Sequence, residues 1–138
     1  MNIMNFEFLK EEITPEMAIN MPSTSLAFVG DAFFSLYART KVLNTTAKSG
    51  KFHIQATKIV NAHSQSLMLD AVLYSLTEEE KDIVRRAKNT HTASKSKNSG
   101  LADYKKATAF EALIGFLFLT NQTVRLAEIL KLSDEVKL

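Results

Sequence analysis

The sequence contains no cysteine and no tryptophan, and only two prolines and four glycines among 138 residues. Without cysteine there is no disulfide, no thiolate metal ligand and no thiol nucleophile, and nothing marks an oxidising compartment. The scarcity of Pro and Gly leaves long segments free to be helical. A strong charge of one sign is also lacking. Seventeen Lys and Arg stand against fifteen Asp and Glu, a net +2, too little to imply nucleic acid before the charges are placed along the chain. No apolar run reaches the ~20 residues of a membrane span. The most apolar stretch, 107–119, is interrupted by Glu111 and reads as a buried helix, so no membrane partner is expected. The first residues carry Glu7, Lys10, Glu11 and Glu12 without a basic start, which reads against a signal peptide and for a cytoplasmic protein. With 46% apolar and 23% charged residues, disorder and fibrous repeats are excluded.

What is present is helical patterning with no competing strand. The expectation is an all-α fold in a single domain, 1–138, with about 1–13 as an N-terminal extension. Thr14-Pro15-Glu16 and Ser23-Thr24-Ser25 read as helix starts. Residues 26–43 are apolar on nearly every face, as in a central helix, and 44–50 read as a loop. Apolar positions from Phe52 to Leu76 fit one long helix or two abutting ones. Thr77 with Glu80 forms a capping box whose helix runs to about Lys88. The stretch 89–101 is rich in Ser, Thr, Asn and Lys and reads as a basic flexible loop. A second apolar helix at 103–120 and an amphipathic one at 122–132 complete the chain.

Two carboxylates stand out. Asp31 is the only acid between Glu16 and Asp70, and Glu111 the only one between Asp103 and Glu128, each inside an apolar helix. A carboxylate carried into a core costs several kcal/mol unless a cation or several donors meet it. Mg²⁺ fits such a pair, since it takes one or two carboxylates and keeps its other positions for water and phosphate oxygens. The commoner arrangement is a carboxylate met by Arg, Lys, a hydroxyl or backbone donors. Arg39 lies two turns beyond Asp31, too far for a local pair, whereas Thr108 is placed to help satisfy Glu111.

Charge is unevenly spread. Arg39, Lys41, Lys48, Lys51 and Lys58 oppose only Asp70, a local +4, and Arg85, Arg86, Lys88, Lys95, Lys97, Lys105 and Lys106 oppose only Asp103, a local +6. Flexible Lys among Ser, Thr and Asn suits a phosphate backbone, although a solvated loop has the same composition. His53 and His63 share no helical face and read as surface or packing residues rather than joint metal ligands. His91 lies in the basic loop, where it is solvated or touches phosphate.

Leu26-Ala27-Phe28-Val29-Gly30-Asp31-Ala32 and Thr108-Ala109-Phe110-Glu111-Ala112-Leu113-Ile114-Gly115 resemble the two signature helices of the ribonuclease III domain, and most nearly its Mini-ribonuclease III branch. The resemblance runs from about Ser23 to Leu130 and includes the Lys-rich loop. It implies a ribonuclease III endonuclease-domain-like helical bundle that works as a homodimer without a separate double-stranded-RNA-binding domain. It further implies Mg²⁺-dependent cleavage of double-stranded RNA, with Mn²⁺ able to substitute, leaving 5′-phosphate and 3′-hydroxyl ends. Asp31 and Glu111 match the catalytic, metal-holding acids. The larger ribonuclease III enzymes have a further Glu where this chain has Ala27 and a further Asp where it has Thr108.

On this resemblance the implied substrate is a paired stem flanking precursor large-subunit (23S) ribosomal RNA, with a ribosomal-protein helper left open. A catalytically inactive ribonuclease III-like scaffold that binds ribosomal RNA is the alternative, to which Ala27 and Thr108 lend weight. A helical protein-interaction domain is a third, disfavoured by the +6 segment. Retention of both Asp31 and Glu111 favours the enzyme, because a binding module would gain stability by losing them. Phe28, Phe33, Phe34, Leu36 and Tyr37 are more large groups than one small core takes, so some are expected to face a second subunit.

Overall fold

Thr14 opens the first helix by accepting the Met17 amide at 3.1 Å, as its Thr-Pro-Glu context predicts. The computed structural model describes residues 7–10, 13–44, 48–90 and 100–138. Among them it forms seven α-helices: α1 (Pro15–Ile19), α2 (Ser23–Val42), α3 (Phe52–Val60), α4 (Ala62–Val72), α5 (Glu78–Lys88), α6 (Gly100–Leu119) and α7 (Thr123–Asp134). Single 3₁₀ turns occur at Glu7–Leu9, Ser49–Lys51 and Leu73–Ser75, and no strand is found among the described residues.

The apolar stretch from Phe52 to Leu76 is two helices broken at Asn61. Its backbone is extended, at φ −70° and ψ 161°, and its side chain caps α4 by accepting the Ser64 amide at 2.8 Å. A residue whose side chain offers the backbone an alternative partner ends one helix and starts the next. The basic stretch expected as a loop over 89–101 is shorter at its far end, because Gly100 and Leu101 already belong to α6. Residues 91–99, with His91, Lys95 and Lys97, lie outside the described residues, as does part of the expected loop at 44–50.

α6 is the central helix. It packs against α2, α4, α5 and α7, which is why it is apolar all round: Phe110, Leu113, Ile114, Phe116 and Leu117 are all buried. Phe110 meets Phe34 of α2 edge-on, with ring centres 5.2 Å apart, the arrangement aromatic quadrupoles favour. No helix among the described residues is long and apolar enough to cross a membrane.

The capping box at the start of α5 has a second layer that the sequence pattern does not reveal. Glu80, only 2% exposed, receives Arg125 of α7 in a fork, Nε to Oε2 at 2.9 Å and Nη2 to Oε1 at 2.8 Å, while Nη2 also donates to the Ser75 carbonyl at 2.7 Å. Burial opposes ionisation of Glu80, but Arg125 and the Thr77 cap outweigh it and hold the carboxyl below its usual value. Arg125→Met leaves a buried carboxylate half-paired and is expected to cost about 2 kcal/mol. Urea unfolding checks this, and Glu80→Gln added to the variant should recover part of the loss.

Candidate active site

Gly30 and Gly115 mark the place where α2 and α6 touch, backbone to backbone. A Cβ on Gly30 would lie 1.7 Å from the Glu111 carbonyl oxygen, and one on Gly115 would lie 2.0 Å from that of Leu26. Only glycine permits so close an approach. Leu26 opposite Gly115 and Gly30 opposite Glu111 also show that the helices run antiparallel. This crossing sets Asp31, the residue after Gly30, beside Glu111.

Asp31 lies close enough to act on the Glu111 carboxyl: burial first, then the Asp31 charge and hydrogen bonding with Asp31, push Glu111 up to about 8, while hydrogen bonding with Gln65 pulls the other way. The expectation that both acids are carried into the core is corrected: Asp31 is exposed and Glu111 half-buried. α2 is apolar nearly all round because its outer face is itself apolar, with Phe28 80% and Leu36 61% exposed. An acid between apolar neighbours can therefore still point to water.

Thr108 does not help satisfy Glu111, because its hydroxyl donates to the Tyr104 carbonyl at 3.0 Å. Ala27 is buried in the core. Neither position adds a carboxylate, and the described residues contain no cluster of three or more His, Cys, Asp or Glu.

Gln65, missed by the sequence reading, completes the neighbourhood. It is 3% exposed, and its Nε2 donates to the Val60 carbonyl at 2.7 Å. Its Oε1 is buried and finds no donor among the described residues. Two carboxylates and an amide make an all-oxygen set that suits a hard divalent cation holding several of its own waters.

The histidines are peripheral to this site. His53 is exposed, and exposed His63 joins α4 to α6 through Asp103, Nδ1 to Oδ2 at 2.9 Å. Hydrogen bonds from His63 and then Ser66 hold Asp103 below its usual value.

The basic strip divides. Arg85 bonds Asp82, and Arg86 reaches the same carboxylate at 3.3 Å while donating to the Ile19 carbonyl at 2.8 Å. Lys106 pairs with Asp70 at 2.7 Å. Lys88 and Lys105 form no ion pair with the described residues. Exposed pairs such as Arg85 with Asp82 contribute at most about 1 kcal/mol, so that guanidinium stays available to a phosphate, whereas Arg86 is held in place by the main chain.

Comparison with known proteins extends these observations. Residues 24–122 match the ribonuclease III domain family. Mini-ribonuclease 3 of a Thermoanaerobacter species is 38% identical over 136 residues, covering 98% of this chain and 96% of its own. Mini-ribonuclease 3 of Kosmotoga olearia is 40% identical over 125 residues, covering 90% and 83%. A Fusobacterium nucleatum protein solved by X-ray crystallography superposes with a TM-score of 0.74 at 32% identity, over 84% of this chain and 93% of that one. Likeness at this level over nearly the full length of both chains places this protein in the ribonuclease III family, in the branch whose members carry the name Mini-ribonuclease 3.

Proposed function

We propose that this member of the ribonuclease III family is an endoribonuclease that cleaves double-stranded RNA at the Asp31–Glu111 site, and that the whole chain acts as one catalytic domain. The observation that carries the reading is the glycine crossing of α2 and α6, which sets two carboxylates against each other where both reach solvent. Two such groups have no structural use together, since like charges so placed cost stability. They fit a Mg²⁺ ion, for which Mn²⁺ can substitute. Bound there, the cation supplies a water of lowered pKa and neutralises charge on the scissile phosphate. Asp31 and Glu111 hold it, and Glu111 releases its proton as it does so. The products carry 5′-phosphate ends.

Lys88 and Lys105, with Lys95 and Lys97 between them in sequence, supply phosphate contacts, and Arg85, Arg86 and Lys106 flank them. Recognition then rests on duplex shape and 2′-hydroxyls, since side chains read A-form sequence poorly. A paired stem of precursor 23S ribosomal RNA, met in the cytoplasm and presented by a ribosomal protein, is the substrate that suits such a site.

The protein works as a homodimer. Phe28, Ala32 and Leu36 form an exposed stripe on α2 at one-turn spacing, backed by Val29 and Phe33. Asp31 lies three residues after Phe28, at the edge of this stripe, so a second copy covering it sets the two carboxylate sites near one seam. Sedimentation should show a dimer at micromolar concentration for the wild type and a monomer for Phe28→Asp, with unchanged helicity because Phe28 is already exposed. A wild-type monomer would overturn the dimer.

The function is tested by cleavage of a long double-stranded RNA. The wild type should cut with Mg²⁺ or Mn²⁺ and stop when the metal is chelated, and a folded Asp31→Asn should not cut. The scaffold reading is favoured by one observation, that Ala27 and Thr108 leave the site two acids. A folded wild type that binds the duplex and never cuts it would establish that reading.

A further inference from the structure

We infer that Gln65 is a positioning residue of the Asp31–Glu111 site: its amide nitrogen orients the Glu111 carboxylate, and its amide oxygen accepts a hydrogen bond from a water in the hydration shell of the bound cation. The inference rests on the metal-dependent reading above and deepens it.

A glutamine amide carries two donors and an acceptor, and burying any of them unpaired costs about 1–3 kcal/mol. Gln65 is nonetheless 3% exposed. One hydrogen of Nε2 goes to the Val60 carbonyl at 2.7 Å. That contact fixes which end of the amide is nitrogen, because the flipped amide would set oxygen against oxygen. Glu111 is its neighbour, and the Gln65 side chain is the group that draws the Glu111 carboxyl down against burial and Asp31. Oε1 is left over, buried with no donor among the described residues. A buried polar atom without a partner calls for a specific cause, such as an ion or an ordered water.

The side chain is firmly placed. Gln65 lies in the first turn of α4, where the elbow with α3 is pinned by Asn61 Nδ2 donating to the carbonyls of Thr57 and Lys58, each at 3.1 Å, and by Ser64 Oγ donating to that of Lys58 at 2.7 Å. On either side of it α4 is tied to α6, through His63 to Asp103 and through Asp70 to Lys106. The elbow thus holds an amide against a carboxyl of the central helix. With only two carboxylates present, a hard cation keeps several waters, which are strong donors and need acceptors. Outer groups of this kind orient the direct ligands, and their loss typically lowers metal affinity 10–100-fold.

A glutamine that only fills space is replaceable by methionine, which has nearly its shape and no polar atoms to satisfy. The test compares wild type, Gln65→Met, Gln65→Glu and Glu111→Gln. Mn²⁺ binding is followed by loss of the free-ion electron paramagnetic resonance signal, metal-free stability by thermal melting, and cleavage of duplex RNA as separate kcat and KM. Gln65→Met should melt at or above the wild-type temperature, bind Mn²⁺ roughly 10–100-fold more weakly, and lose kcat at unchanged KM. Gln65→Glu keeps an acceptor oxygen and adds negative charge, so it should bind Mn²⁺ at least as tightly as wild type. Wild-type Mn²⁺ affinity in both Gln65 variants, while Glu111→Gln has lost it, overturns the role of Gln65 alone. Equal Mn²⁺ binding by wild type and Glu111→Gln overturns the metal site and this inference together.

Discussion

Gly30→Ala is expected to unfold or separate the two central helices and to abolish cleavage with them. The added methyl would sit 1.7 Å from the Glu111 carbonyl oxygen and 2.9 Å from the Gly115 nitrogen. These are backbone atoms of a helix fully packed on its other sides, so no rotamer change relieves the clash and α2 and α6 must move apart. Overpacking of a close-packed core commonly costs 1–3 kcal/mol. Here the obstacle is main chain, and a loss of at least about 3 kcal/mol in urea unfolding is expected, despite the small gain in helix propensity that alanine brings. Whatever fraction folds should cleave duplex RNA roughly 100-fold more slowly, the usual result of displacing reacting groups by about 1 Å. Gly115→Ala should behave alike, since its methyl would meet the Leu26 carbonyl oxygen at 2.0 Å. Gly50→Ala is the control, because nothing lies within 4 Å of its added methyl. A Gly30→Ala protein that melts and cuts like wild type would show that the crossing can widen without harm, and the glycines would lose their part in the site.

The legible parts of this molecule are those encoded by near neighbours in the chain. Thr14 and Thr77 cap helices because the cap and the amides it serves lie three residues apart. α6 declares itself central by being apolar on every face. Asp31 and Glu111 are conspicuous because each is isolated among apolar residues, but isolation does not report burial. An outer apolar face, such as that of Phe28 and Leu36, looks the same in one dimension as an inner one. Arg85 and Arg86 follow Asp82 at three and four residues, a spacing that announces local pairing and moderates the basic strip. What could not be read depends on residues far apart. Arg125 reaches Glu80 across 45 positions, and Gln65 gains its meaning only from the elbow at Asn61 and the proximity of α6. A buried glutamine between two serines has no pattern that separates it from an exposed one.

Glu111→Gln is expected to destroy activity while stabilising the metal-free protein, and the opposite signs are what distinguish a working carboxylate from a structural one. In the fold, burial and Asp31 push Glu111 up to about 8, whereas in the unfolded chain it titrates near the ordinary glutamate value. Between those two values the native state holds a proton that the unfolded state has released. Stability therefore falls as pH rises. The contribution is complete at acidic pH, below the unfolded pKa, and is lost as pH climbs through the folded pKa, where the fold must hold two neighbouring negative charges. Partial solvent access screens the penalty to about 2–3 kcal/mol. Glutamine keeps the shape and can still donate to Asp31, so thermal melting of the metal-free variant should be nearly independent of pH from 5 to 9 and should exceed the wild type by several degrees at pH 9. On the proposed metal site, added Mg²⁺ is expected to reverse the order. Asp31 and Glu111 would hold the cation, Glu111 would give up its proton to do so, and wild type would gain stability by mass action that the variant largely lacks. Cleavage by Glu111→Gln should fall by roughly 10³-fold, the scale of a lost charge at a metal-assisted phosphoryl centre. A variant that melts below wild type at pH 9 and still cuts RNA would mean that the carboxylate serves packing. Residues retained against their own stability cost are those that function keeps in place, and Glu111 is the residue of this chain where that cost is directly measurable.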